Sequence, residues 1–165
     1  MQLKSLLVVL IVLISITSQV FAQENKNKGD TRFIHQLDRL GLKYTITDKG
    51  NFSLSYSLDN GRSQVAYITG TTEKLDNMEV MELWSRAGTF DGLPPQDVMQ
   101  SLLVENRTKQ IGHWSIEQAK DSGYIVYFAT KIPVYIGDAD LNSILRYVAD
   151  IADQKEEELF KIDDE

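Results

Sequence analysis

The chain has 165 residues with no cysteine, two histidines, and 24 acidic against 17 basic residues, for a formal net charge of −7. The lack of cysteine excludes a disulfide framework, a thiolate metal centre and an acylated lipoprotein. The acidity, with no basic patch carrying interleaved aromatics, argues against nucleic acid and anionic lipid as partners.

Leu6 to Ile16 is an almost unbroken apolar run preceded by Lys4 and followed by Val20-Phe21-Ala22, whose −3 and −1 positions suit signal peptidase. The run is shorter than the about 20 apolar residues that a bilayer core requires, so residues 1–22 are expected to form a cleavable secretory signal peptide. The competing reading is an uncleaved anchor through Phe21, but Thr17, Ser18 and Gln19 interrupt it. A cysteine-free exported chain fits the periplasm or the exterior of a bacterium, and with no further apolar run a membrane span is not expected after cleavage. Removal of 22 residues leaves 143 and takes the net charge from −7 to −8 by loss of Lys4. That length suffices for one domain stabilised by its core alone. The sequons at Asn51 and Asn106 are read as chance matches.

Residues 23–30 (QENKNKGD) have no apolar side chain and are expected to be a disordered leader. Asp30 or Thr31 then caps a helix with Phe33, Ile34, Leu37 and Leu40 on one stripe, and Gly41 ends it. His35 falls off the stripe. The period changes to two at Tyr44 and Ile46, at Phe52, Leu54, Tyr56 and Leu58 against Ser53, Ser55 and Ser57, and at Val65 and Tyr67 against Ala66 and Ile68. Asp48-Lys49-Gly50-Asn51 and Asp59-Asn60-Gly61-Arg62 carry hairpin chemistry, so these are antiparallel strands with a drier face and a serine face. Residues 70–77 read as a polar loop. Met78 to Ala87 fits a helical stripe through Val80, Met81 and Trp84, or a strand with Val80, Glu82 and Trp84 on one side, and is assigned to strand.

Pro94-Pro95 opens a second helix through Asn106, with Val98, Met99, Leu102 and Leu103 inward. His113 to Ala119 and Tyr124 to Lys131 are the last strands, and the second, apolar on both sides, is expected inside the sheet with both faces partly covered. Asp138 caps a final helix with Leu141, Ile144, Leu145, Val148, Ile151 and Ala152 on one face and a fraying charged end, KEEELFKIDDE. The expected fold is α+β, an antiparallel sheet of about six strands with three helices in the order α-β-β-β-β-α-β-β-α, over residues 31–160. Residues 161–165 form an acidic tail.

This order, with Leu40-Gly41-Leu42, Asn60-Gly61-Arg62, Leu83-Trp84-Ser85-Arg86-Ala87-Gly88, Leu102-Leu103 with Asn106, Gly112 with Trp114, and Val148-Ala149 with Ala152-Asp153 and Glu156, resembles the YbjN family. That family is described as bacterial sensory transduction regulators with a type III secretion chaperone-like fold. The resemblance runs from about residue 31 to about residue 160. It implies a binding module that takes extended segments of other proteins on sheet and helix faces, often as a dimer, and it transfers no catalytic residue.

Chemistry points the same way. His35 and His113 lie on different elements, and Asp138-Ala139-Asp140 lacks the glycine and closing glutamate of a calcium loop. No Gly-x-Ser-x-Gly elbow or glycine-rich phosphate loop occurs, and no metal, cofactor or catalytic residue is expected. Large aromatics are the candidates for recognition, so Tyr56, Tyr67, Trp84 and Arg86 are the expected partner-binding residues, for another polypeptide or a second copy of the chain. The two tryptophans are also candidates for the core. The alternative is a small-ligand sensor whose apolar pocket is lined by Phe52, Tyr56, Tyr67 and Phe128.

Overall fold

The computed structural model describes residues 29–59, 61–120 and 123–160. The expected signal peptide, most of the leader and the acidic tail lie outside the described residues. Asp30 caps α1 (Thr31–Arg39), its side chain accepting from the Arg32 amide at 2.9 Å. Phe33 and Leu37, one turn apart, are fully buried, and Gly41 follows the helix end at φ 66°, a conformation glycine adopts without a Cβ penalty. His35 is exposed.

Seven strands follow: β1 (Thr45–Ile46), β2 (Phe52–Ser57), β3 (Ser63–Ile68), β4 (Glu73–Leu75), β5 (Met78–Phe90), and, after α2 (Gln96–Asn106), β6 (His113–Gln118) and β7 (Tyr124–Pro133). The last element is α3 (Asp138–Phe160). The strands form one antiparallel sheet in the order β1-β2-β3-β5-β7-β6, with β4 beside the start of β5. The α+β architecture expected from the sequence is therefore present, with the short β4 as an addition.

Side-chain alternation decides what each face does. Phe52, Leu54, Ala66, Ile68, Met81, Leu83 and Ile132 point to one face and pack with Phe33, Leu37, Leu141, Leu145 and Ala149 of the helices. A second cluster joins Ala87, Trp114, Val126 and Phe128 to Leu102 of α2 and Val148 and Ala152 of α3. The three helices of the described residues thus cover the same face, and the serine side of β2 is the wetter one.

Several local expectations are corrected. Residues 70–77 are not all loop, because Glu73–Leu75 pairs with Met78–Val80 across a tight turn in which Asp76 takes φ 52°. Leu103 does not point inward: it is 71% exposed, and Val104 beside it 72%. Asp138 stands in the first turn of α3 rather than capping it, and its carboxylate pairs with Arg39 at 2.9 Å. The end of α3 does not fray before Phe160, since Lys155 is buried and the Phe160 ring lies 5.3 Å from that of Phe90. A bulge between Arg86 and Gly88 makes this approach possible by turning both Ala87 and Gly88 towards the helices. A Cβ on Gly88 would collide with the Phe160 ring.

Candidate functional site

Among the described residues the sheet's other face carries no helix, and at its centre the pairing brings aromatics together. Tyr67 on β3 is directly opposite Trp84 on β5, and their rings stack at 4.0 Å with 14° between planes. Tyr127 on β7 approaches Trp84 at 6.0 Å. Ala129, opposite Trp84 on β7, points to this open face yet is buried. These rings, with Ile125, form one wall and floor of a groove of about 370 Å3 whose rim holds Lys49, Glu82, Arg86, Glu117 and Lys120. The groove crosses the sheet from the β1–β2 turn, where Lys49 sits, to the β6–β7 turn, where Lys120 sits.

The polar groups of the groove are unevenly engaged. The Tyr127 hydroxyl donates to Glu117 Oε2 at 3.1 Å, and burial, reinforced by that carboxylate, pushes the phenol up to about 12. Glu82 stands opposite Lys131 across β5 and β7, and the Lys131 ammonium bonds Glu73 at 2.6 Å. Lys49, Arg86 and Lys120 form no ion pair among the described residues.

Of the four residues singled out in the sequence, Tyr67, Trp84 and Arg86 come together here. Tyr56 does not, because it shares the face of Phe52 and Leu54 and packs against the helix-side core. Its hydroxyl has no hydrogen-bond partner, and burial raises its pKa to about 12, the nearby Arg146 opposing. The pocket expected from Phe52, Tyr56, Tyr67 and Phe128 is likewise corrected: Phe52 and Phe128 fill separate core clusters, and Tyr67 lies on the opposite face. Tyr127 also lines the groove and was not singled out in the sequence, where the apolar run YIVYFAT reads as a strand with both faces partly covered. The only signal for it was its position two residues from Ile125 on the same side.

Trp114 is the core tryptophan, 5% exposed, with its ring edge-on to Phe128 at 5.1 Å. Asn106 at the end of α2 holds the β6 edge as another strand would, its Oδ1 accepting from the Trp114 amide at 2.6 Å. Among the described residues no group of three or more His, Cys, Asp or Glu side chains could hold a metal ion, and no helix is long and apolar enough to cross a membrane.

No protein-family model and no curated protein matches the chain. Among solved structures it is similar to E. coli YbjN, a proposed transcription regulator, with 13% identity and a TM-score of 0.49 over 76% of this chain and 86% of that one. It is also similar to the Yersinia pestis type III secretion chaperone SycH, solved in complex with a stable fragment of YscM2, with 16% identity and a TM-score of 0.44 over 74% and 94%.

Proposed function

We propose that this is an exported, non-enzymatic polypeptide-binding module, chaperone-like or regulatory, that takes its partner on the open face of the sheet. The observation that carries the reading is the Tyr67–Trp84–Tyr127 cluster, a half-buried aromatic surface with a mixed-charge rim on the sheet face that no helix among the described residues covers. Rigid aromatics offer large contact area at low entropic cost, and a polar rim orients what lies on them. A library of unstructured peptides panned on the protein is the test. Enriched sequences should bind the wild type and lose at least ten-fold in affinity to a Trp84→Ala, Tyr127→Ala variant of unchanged fold. No enrichment, or binding indifferent to the variant, contradicts the reading.

A second copy of the chain is the other partner supported by an observation, the exposed Leu103 and Val104 on α2. Light scattering and intact mass on protein recovered from a bacterial envelope test this and export together. The expected result is a dimer of chains beginning at Gln23, made monomeric by Leu103→Glu with Val104→Glu. A monomeric wild type contradicts the dimer, and a chain retaining residues 1–22 contradicts processing.

A further inference from the structure

The three cations of the groove are unevenly matched to the rest of the molecule. The chain as a whole is acidic, yet Lys49, Arg86 and Lys120 line this aromatic groove with no ion pair among the described residues. Of the two carboxylates sharing the rim, Glu117 accepts the Tyr127 hydroxyl, and Glu82 stands opposite Lys131, whose ammonium bonds Glu73. Three cations against two carboxylates leave the rim with a net positive charge on an otherwise acidic chain, and walls of low polarity strengthen its potential.

The cations are also spread along the groove rather than clustered. Lys49 comes from the β1–β2 turn, Arg86 from the middle of β5, and Lys120 from the β6–β7 turn. From β2 to β6 the sheet order gives four inter-strand spacings, about 19 Å. The register from Leu83, level with the start of β2, to Phe90, level with the end of β6, adds about 20 Å along the strands, so the two turns lie about 28 Å apart on the diagonal. An extended chain advances about 3.3 Å per residue and sends every second side chain to the same side, so about eight or nine residues cover that diagonal and present carboxylates about 7 Å apart. The aromatic rings between the cations would receive the apolar parts of such a segment.

We propose that the occupant of the groove is an extended acidic segment of another polypeptide, with aspartate or glutamate side chains at alternating positions paired to Lys49, Arg86 and Lys120. This rests on the polypeptide-binding reading and adds its chemistry. Arg86 is the central anchor, because its planar fork can take a carboxylate in two hydrogen bonds where a lysine takes it as a point charge.

Three synthetic peptides of about eight residues test it, identical except that alternating positions carry Glu, Gln or Lys, with leucine between them. Tryptophan fluorescence reports binding, because Trp84 lines the groove and Trp114 does not. The Glu peptide should bind at least ten-fold more tightly than the Gln peptide at low salt, and the advantage should shrink at 0.5 M salt. Arg86→Gln with Lys49→Gln and Lys120→Gln, checked for an unchanged melting temperature, should remove the preference for the Glu peptide over the Gln peptide. Equal binding of the Glu and Gln peptides, or preference for Lys, overturns the acidic-segment inference and leaves the polypeptide-binding reading standing. Binding of none of the three, when panned peptides also fail, removes both. A groove that instead takes polygalacturonate in preference to the Glu peptide overturns the inference in favour of an anionic polysaccharide.

Discussion

Replacing Trp114 by alanine is expected to destabilise the domain by about 3 to 5 kcal/mol, while Trp84→Ala costs only about 1 to 2 kcal/mol. Trp114 sits among Leu102, Val126, Phe128, Val148 and Ala152, so truncation opens a cavity that three different elements border. Its indole Nε1 also donates to Glu105 Oε2 at 3.2 Å, and two ammonium groups, Lys109 and Lys155, lie within 6 Å of the ring centroid. Losing the ring therefore loosens β6, α2 and α3 at once. Trp84 is half-buried on the helix-free face and is held mainly by its stack on Tyr67, which is worth about 0.5 to 1.5 kcal/mol beyond its area. Urea unfolding of both variants measures the difference. Similar large losses would place Trp84 in the core and remove the groove from consideration.

The second large effect is expected at Glu105. Its Oε1 accepts from the Lys155 ammonium at 2.5 Å, and Lys155, with its side chain only 4% exposed, has Glu158 as its other partner at 2.6 Å. Neutralising Glu105 leaves a buried cation half-compensated, which usually costs about 3 to 5 kcal/mol for a fully buried pair. Because the Glu105 side chain is about a quarter exposed and Glu158 remains, about 2 to 3 kcal/mol is expected for Glu105→Gln.

The same pair sets a pH dependence. Burial alone would raise the Glu105 pKa, but the bonds from Lys155, Ser101 and Trp114 outweigh it and hold the carboxyl below its ordinary value of 4.5. The unfolded chain consequently binds more protons than the folded one as the pH drops below that value, so this stability is complete above about 4.5 and is lost as pH falls through the folded pKa. Glu79, held at about 2 by Arg32 and then Thr72, acts in the same direction. The wild type should lose stability steeply between pH 4.5 and 2, and Glu105→Gln should lose it less steeply. Parallel profiles would show that the pair does not form in solution.

Legibility in the sequence followed the strength of the periodic signal. β2 was readable because Phe52 and Leu54 alternate with serines, and the helix-side core of α3 because Leu141, Leu145, Val148 and Ala152 recur at helical spacing. β4 was not, because Glu-Lys-Leu is exposed at every position and its existence depends on pairing with β5, a contact between segments that no local pattern encodes. Leu103 was misplaced for a related reason: an apolar residue next to Leu102 looks inward until the helix orientation is fixed by Asn106 and Glu105 gripping Trp114. The charged end of α3 looked weak in isolation and is held by Lys155 and Phe160 through tertiary contacts.

Three of the four expected binding residues, Tyr67, Trp84 and Arg86, share the groove because they occupy one face of β3 and β5. Tyr56 lies on the other face. Its alternation with Ser55 and Ser57 already put it with Phe52 and Leu54, so face, rather than aromatic character, was the better guide. Tyr127 shows the opposite error. An apolar run can be dry on one side and lie beneath an aromatic groove on the other, which hydropathy alone does not distinguish from a doubly covered strand.

The most direct measurement is the change in amide and aromatic NMR signals when a peptide selected on this protein is titrated into the labelled domain. A polypeptide seated on the helix-free sheet face should move Tyr67, Trp84, Arg86, Ile125 and Tyr127 and leave Leu102, Leu145 and Val148 unmoved. Shifts confined to α2 and α3, with the aromatic groove silent, would contradict it.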